Sequence, residues 1–514
     1  MTPLLTGAGL QTATYVTGIA LGLVLTPYLY RTLGERHYAI FLIAGLFTNW
    51  CGLIDFGMTT SVSRFVTFHF SGDDPKAVNE TANTAFALMA ILAAIALVVG
   101  GIAAALAGIG WPNDPDIGLF RAVFLMTAAT FAVSKIADSA AGVINGVLRQ
   151  ELTGGAALLL RLATGGVTFL ILYLGGRVIA LLTGGLLLAI GNLMLLAVLV
   201  PAAWPEFRFS FSLFRFERVR ELCGYSAWTF VNQIGDLLIA RSDLILIGAL
   251  LSLTDLAHYN LAVVVFISYY GSFLQAMTLW ETNWFTHLMK TDQEAAFERT
   301  RVFSYQLLTF VTVFMSFMLI FWGKAFLVRW VGQECLAAYP ALVILASSLA
   351  LYRGCAETNI RLLQGMARHR NLAFFTLLQG AASVAAAALL LSLGFGLTGV
   401  ALGAMIPAVL VHALIVPIQV CRLRAEPIVR YFARQARWII IASIALIAPY
   451  FLLRRFVAPD YPTLLWTAAA CAVLYAAAIT VIGLSKSDRR AILSLLRRTR
   501  SDSDASGDSG RQRA

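Results

Sequence analysis

Long apolar runs separated by short polar breaks dominate the chain, and their length decides what they are. A helix needs about 20 apolar residues to cross the hydrocarbon of a bilayer. Runs of that length fall near residues 6–30, 38–60, 82–108, 119–147, 153–174, 178–200, 223–250 and 258–281. Six more fall near 302–322, 338–363, 371–393, 397–420, 437–453 and 462–484. The pattern predicts an all-α polytopic membrane protein with about fourteen transmembrane helices, an even number that places both termini on one side. The run at 6–30 has no basic stretch ahead of it and is too long for a signal peptide, so it reads as an uncleaved first span.

Composition agrees with this reading. Of 514 residues, 59% are hydrophobic and 13% charged, with a mean hydropathy of +0.79, which does not suit water-facing surfaces. The net charge of +11 does not point to nucleic acid, because Lys and Arg cluster in the short breaks between runs, where they orient helices. With the N-terminus in the cytoplasm, the inside loops and tail collect roughly 25 basic residues and the outside loops about eight, the asymmetry that cytoplasmic retention of positive charge produces. The six cysteines are scattered, without C-x-x-C spacing. The breaks leave no room for a soluble catalytic domain. No H-E-x-x-H, G-x-S-x-G, Walker A or D-x-D run occurs in any of them, and nothing in the sequence suggests a metal cage. After Gly483 comes a basic amphipathic stretch and then SDSDASGDSGRQRA, the composition of a disordered tail.

An internal repeat is legible. Ala137–Arg149 (ADSAAGVINGVLR) matches Ala356–Arg368 (AETNIRLLQGMAR) at an offset of 219, pairing Asp138 with Glu357, Asn145 with Gln364, Gly146 with Gly365 and Arg149 with Arg368. Leu33–Ala39 (LGERHYA) matches Thr254–Asn260 (TDLAHYN) at an offset near 221. Two matches at nearly one offset predict a six-plus-six architecture. The division is 1–200 for the first lobe, 201–222 for a basic cytoplasmic linker, 223–422 for the second lobe, 423–484 for two added helices and 485–514 for the tail.

Charges inside the spans carry the candidate chemistry, since a charge in hydrocarbon persists chiefly where it faces a bundle interior or a cavity. Lys135, Asp138, Gly142, Asn145 and Arg149 recur at steps of three and four on the fourth span, and Arg353, Glu357, Arg361, Gln364 and Arg368 on the tenth. Each stripe either lines a cavity or is a set of pairs that cancel locally. On the seventh span Asp236 and Asp243 share a face with Arg241 roughly opposite, either a proton- or Na⁺-binding pair or a buried network. Arg161 has no acidic partner on its own span, so its counter-anion is either a carboxylate across the bundle or a substrate phosphate. Asp55 and Glu281 read as interfacial, and His412 as a hydrogen-bonded core histidine.

The segments PYLYRTLGERHYAIF, GLIDFGMTTSVSRFV and SGDDPK, with RSDLILIGALLSLTDLAHYNLA further on, resemble the polysaccharide or O-antigen flippases of the multidrug/oligosaccharidyl-lipid/polysaccharide exporter superfamily. That resemblance implies two six-helix lobes around a central cavity, alternating access, and a place in the bacterial inner membrane. It implies export of an undecaprenyl-pyrophosphate-linked saccharide, with no cofactor, driven by an H⁺ or Na⁺ gradient or by the membrane potential. Lys135, Arg161, Arg241, Arg353, Arg361, Asn145 and Gln364 are then substrate-binding candidates, and Asp138, Asp236, Asp243 and Glu357 ion-coupling or network candidates. The implied partners are the lipid-linked oligosaccharide, membrane lipids and other polysaccharide-assembly proteins. A multidrug/cation antiporter of the same superfamily and a membrane glycosyltransferase, polymerase or ligase are the competing readings; the acidic residues among the cations keep the first open, and the short outside loops argue against the second.

Overall fold

The computed structural model describes residues 2–483 except 56–57, 111–113, 279–280, 282–284, 286–287, 290–292 and 367, so the expected basic and disordered tail lies outside the described residues. Every regular element among them is helical. Helix α1 (Thr2–Cys51) covers the first predicted span and most of the second in one element, bent where Gly34 adopts φ 74°. A side chain would be strained at that φ, so glycine sets the place of the bend. The rest of the second predicted span is a 3₁₀ turn (Gly52–Asp55) followed by α2 (Met58–Ser71).

Helices α3 (Pro75–Gly110), α4 (Ile117–Gly146), α5 (Gln150–Tyr173), α6 (Val178–Ala203), α7 (Phe216–Leu250), α8 (Leu253–Thr278) and α9 (Glu294–Trp330) follow. The tenth predicted span is α10 (Tyr339–Ser348) and α11 (Gly354–Gly365) joined by a π turn, Leu349–Arg353. Next come α12 (His369–Ser392), then α13 (Gly396–Val409) and α14 (Val416–Leu423) joined by a second π turn, Leu410–Ile415, and finally α15 (Ile428–Leu453) and α16 (Tyr461–Ile482). Eleven of these segments are long and apolar enough to cross a membrane, and the protein is a multi-pass membrane protein. α7 is not among the eleven, since Asp236, Arg241 and Asp243 interrupt its apolar run.

Local chemistry fixes several ends. Asp74 accepts from the amide of Ala77 at 3.0 Å ahead of Pro75, the first residue of α3. Asp460 accepts from the hydroxyl and the amide of Thr463 at the start of α16, and these bonds hold its carboxyl below the usual carboxylate range. Large side chains such as Val198, Leu465 and Val473 remain exposed, as lipid-facing positions require.

Helix boundaries repeat at the offset seen in the sequence. α3 begins at 75 and α9 at 294, α4 ends at Gly146 and α11 at Gly365, and α5 and α12 coincide residue for residue at 150–173 and 369–392. Arg149 and Arg368 take the same N-cap position before α5 and α12.

Three buried clusters hold the bundle. One joins α2, α3, α4 and α6 around Val62, Met89 and Ile144. A second joins α9, α11, α15 and α16 around Phe310, Leu362 and Cys471. The third joins both halves of the chain around Tyr38, Ile40, Tyr259 and Trp330. Burial of these side chains stabilises each by roughly 1.5–3 kcal/mol in a water-soluble reference; in lipid, close packing takes over that role. Gly142 and Gly146 of α4 lie against Val62 and Val66 of α2, close enough that a Cβ at Gly146 would come within 2.4 Å of Val66.

Candidate functional site

The site is built around the first half of α1. Arg161 of α5 is exposed at its own helix surface and lies along α1, where a Cβ on Gly18 would meet its Nη2 at 2.3 Å. Glycine at 18 therefore makes room for the guanidinium. One turn earlier on α1, the Tyr15 hydroxyl reaches the backbone of α8, at 3.3 Å from a Cβ built on Gly271. The adjacent ring, Tyr270, lies 5.1 Å from the guanidinium carbon of Arg353. Arg161 thus meets α1 at Gly18, while Arg353, from the other half of the chain, stands beside the Tyr270–Gly271 pair that Tyr15 of α1 approaches.

Arg353 closes the π turn between α10 and α11. A π turn widens the helix by one residue and turns side chains off their regular face, a departure common at functional sites. The guanidinium also lies over Tyr352 at 5.5 Å, reaches Glu357 Oε1 at 3.9 Å and leaves Nε without a hydrogen bond. Tyr352 stacks almost parallel, at 5.9 Å, on His412 from the second π turn. His412 is therefore a stacking partner, and its Nδ1 has no hydrogen-bond partner, unlike the hydrogen-bonded core histidine that the sequence suggests. The Arg353–Glu357 contact is long enough to leave the cation partly uncompensated, with aromatic faces supplying the remainder.

The two stripes differ in what they touch. On α4, Lys135 Nζ meets Asp138 Oδ2 at 2.5 Å and lies over Phe131 at 5.2 Å, and the carboxylate side chain is 38% exposed. Further along, Asn145 accepts from Thr153 of α5 at 2.6 Å and Arg149 pairs with Glu151 at 2.5 Å, so that end of the stripe ties the α4–α5 turn. On α11, Arg361 donates to Gln364 at 3.3 Å and keeps Nε unpaired. Glu281 is buried at 1% exposure, where the sequence suggests an interfacial residue; Thr358 donates to its Oε1 at 3.4 Å, and its Oε2 has no partner. On α7, Asp236 is exposed, while Asp243 accepts from the amide of Leu244 at 2.8 Å and lies near Tyr259. Arg241 points into a cavity with Thr164 and Thr168 of α5.

The end of the bundle that carries residues 31–37 is closed across the two halves. Tyr30 donates to Glu35 at 2.9 Å and lies 3.3 Å from His258, which is 3.4 Å from Glu35. Asn260 donates to Tyr38 at 3.1 Å, Arg31 to the carbonyls of Trp330 and Val331, and Trp330 to the carbonyl of Leu23 at 2.7 Å. The repeated segments Leu33–Ala39 and Thr254–Asn260 therefore meet each other. Sequence reasoning missed Tyr15, Gly18 and Tyr270; the one available signal is the Tyr-Tyr-Gly run at 269–271, an aromatic pair beside a glycine inside a span.

Among solved structures, the fold matches a lipid II flippase, MurJ, in an inward closed conformation, with a TM-score of 0.67 at 14% identity, covering 92% of this chain and 98% of that one. It also matches an inward-facing multidrug resistance MATE family transporter of the MOP superfamily, with a TM-score of 0.61 at 14% identity over 81% of this chain and 96% of that one. An outward-facing transporter of the same kind gives 0.58 at 12% identity, over 83% and 97%. No match is found among the curated proteins. The family model described as "Polysaccharide biosynthesis protein" matches residues 4–276, more than half of the chain. The chain therefore belongs to the polysaccharide biosynthesis protein family, on the helical fold of the MOP superfamily transporters.

Proposed function

We propose that the protein is a flippase that moves an undecaprenyl-pyrophosphate-linked saccharide from the inner to the outer leaflet of a bacterial inner membrane by alternating access. The observation that carries this reading is a pair of arginines, one from each half of the chain, near the first half of α1: Arg161 against Gly18, and Arg353 beside Tyr270, next to the Gly271 that Tyr15 approaches. A guanidinium fork suits phosphate oxygens, and two of them suit a diphosphate. Family membership supports a polysaccharide pathway, and the likeness in fold to a lipid II flippase supports a lipid-linked cargo.

The helix boundaries that recur at an offset of 219 support two six-span lobes followed by two added spans, fourteen in all if α1 counts as two across Gly34. The distribution of basic residues supports cytoplasmic termini. An apolar groove of 470 Å³ between α9 and α16, floored by Phe310, Phe314 and Ala476, supports room for a prenyl chain. The closed contacts at Tyr30, Glu35 and His258 then form the outer gate, and the binding path opens inward. Lys135, Asp138, Asp236, Asp243, Glu357 and Arg361 are network or coupling groups around it.

The test is the lipid-linked saccharide pool on the cytoplasmic leaflet after depletion of the protein, with wild type or Arg161→Ala supplied back. Accumulation on depletion, relieved by wild type and not by the variant, is the expected result. The exposed carboxylate of Asp236 favours one second reading, cation antiport; an unchanged lipid pool with altered drug sensitivity would establish it instead.

A further inference from the structure

A cavity between the first six spans and the start of the second half is left unused by diphosphate binding at Arg161 and Arg353. It measures 330 Å³ and lies among α1 beyond the bend, α4, α5, α6, the outer part of α7 and Asn260 of α8. Ligand pockets span roughly 300–1,000 Å³, so this one admits a small group and not a long chain. Its polar lining is mostly threonine, from Thr48, Thr127, Thr130, Thr164 and Thr168, with Asn49 and Asn260 and with Arg241 as the cation.

Three of these threonines donate to the carbonyl four residues back: Thr48 to Ala44 at 2.9 Å, Thr130 to Met126 at 2.9 Å and Thr164 to Leu160 at 2.8 Å. With the proton committed to the backbone, each oxygen is left as an acceptor. Thr127 differs: it is 5% exposed and its Oγ1 is closed off from the cavity, so it packs against the wall without offering it a hydrogen bond.

A wall of threonine and amide oxygens with a guanidinium complements a ring of hydroxyls, each of which can donate and accept. A cationic drug would face Arg241, and an apolar one would leave the threonine oxygens unmet. Thr164 and Thr168 follow Arg161 on one face of α5, at steps of three and seven, so this part of the wall lies outward of the guanidinium along the same helix face.

We infer that this cavity is the saccharide subsite, which takes the sugar next to the diphosphate, either neutral or with a carboxylate turned to Arg241. The inference rests on the flippase reading and adds to it the residues that read the cargo. The sugar leads, the diphosphate follows at Arg161, and the prenyl chain stays in lipid.

Tryptophan fluorescence titration of the full chain in nanodiscs compares two probes: undecaprenyl pyrophosphate, and the lipid-linked saccharide extracted from depleted cells. Wild type is expected to bind the saccharide-bearing lipid about tenfold more tightly than the bare carrier, the gain that one or two hydrogen bonds supply. Thr130→Val with Thr164→Val is expected to remove that preference and leave affinity for the bare carrier unchanged, which also shows that the variant is folded. Thr130→Ser with Thr164→Ser, which keeps both hydroxyls, should retain the preference. A wild type that binds both lipids equally, or a valine variant that still discriminates, overturns the subsite and marks the cavity as water-filled only. If neither lipid binds to wild type, the flippase reading falls first, and the subsite with it.

Discussion

Two linkers, at corresponding places in the two halves, are fastened to the bundle by opposite chemistry. After α6, the segment 204–215 lies along the start of α3, where Asn79 and Asn83 grip its backbone. Asn79 donates to the carbonyl of Glu206 at 3.1 Å and accepts from the amide of Arg208 at 2.7 Å; Asn83 donates to the carbonyl of Arg208 at 2.8 Å and accepts from Ser210 at 2.8 Å. After α14, the segment 424–427 lies along the start of α9. There Arg301, 1% exposed, pairs with Glu298 at 2.6 Å and with Glu426 at 2.8 Å; Arg434 also holds Glu426, and Arg424 meets Glu294.

The amides satisfy a backbone that would otherwise lose its hydrogen bonds, and they do so without net charge. The ionic cluster buries charges that must be matched, so it tolerates the loss of one partner poorly even where the whole cluster adds little stability. The second linker leads into α15 and α16, which on the proposed layout are added to the two six-span lobes.

Substitutions should separate the two latches by size of effect. The largest is expected from Arg301→Ala, which takes one of two arginines from buried Glu426 and leaves Glu298 with Arg424 alone: a loss of about 3 kcal/mol, the low end for a broken buried pair, seen as a lowered thermal midpoint of the purified protein. An unchanged midpoint would mean that the carboxylates reach water and that the cluster is not buried in solution. Asn83→Ala comes next, at about 1–3 kcal/mol, since it strands the carbonyl of Arg208 and the amide of Ser210; the same melting assay, with protease cleavage in the 204–215 segment as a second readout, checks it. The smallest belongs to Arg215→Ala. Its guanidinium sits 3.4 Å from Glu80 but is 48% exposed, so about 0–1 kcal/mol is expected. If Arg215→Ala matched Arg301→Ala, burial would not be what distinguishes the two ends.

Much of the architecture is legible in the sequence because bilayer thickness and charge retention act on local runs. The offset of 219 is legible too, since a duplication copies helix ends such as Gly146 and Gly365 together with their caps. Less visible is anything set by a neighbouring helix. Periodicity says that Lys135 and Asp138 share a face; it does not say that Gly142 and Gly146 give theirs to α2. Arg161 is an evident orphan on α5, but its place against Gly18 depends on how α1 crosses α5. Both π turns escape pattern reading because one added residue leaves apolar periodicity almost unchanged. Glu281 illustrates the same limit: at the edge of a hydropathy run it looks wet, and only the packing of α9 and α11 over it removes it from water.

The meeting of Leu33–Ala39 with Thr254–Asn260 resembles the self-complementary patch of a two-fold homodimer, where each contact occurs twice. On the proposed repeat, the triad Tyr30, Glu35 and His258 would have its mirror at Leu251, Leu256 and His37. The mirror is not polar: two leucines stand there, and His37 instead lies 3.9 Å from Asp116. A true homodimer cannot differ between its two halves, whereas one chain that carries both can. On the proposed repeat, then, one copy of the contact is polar and open to competition by water while its mirror is apolar, and the proposed outer gate would part on the polar side like a hinged door.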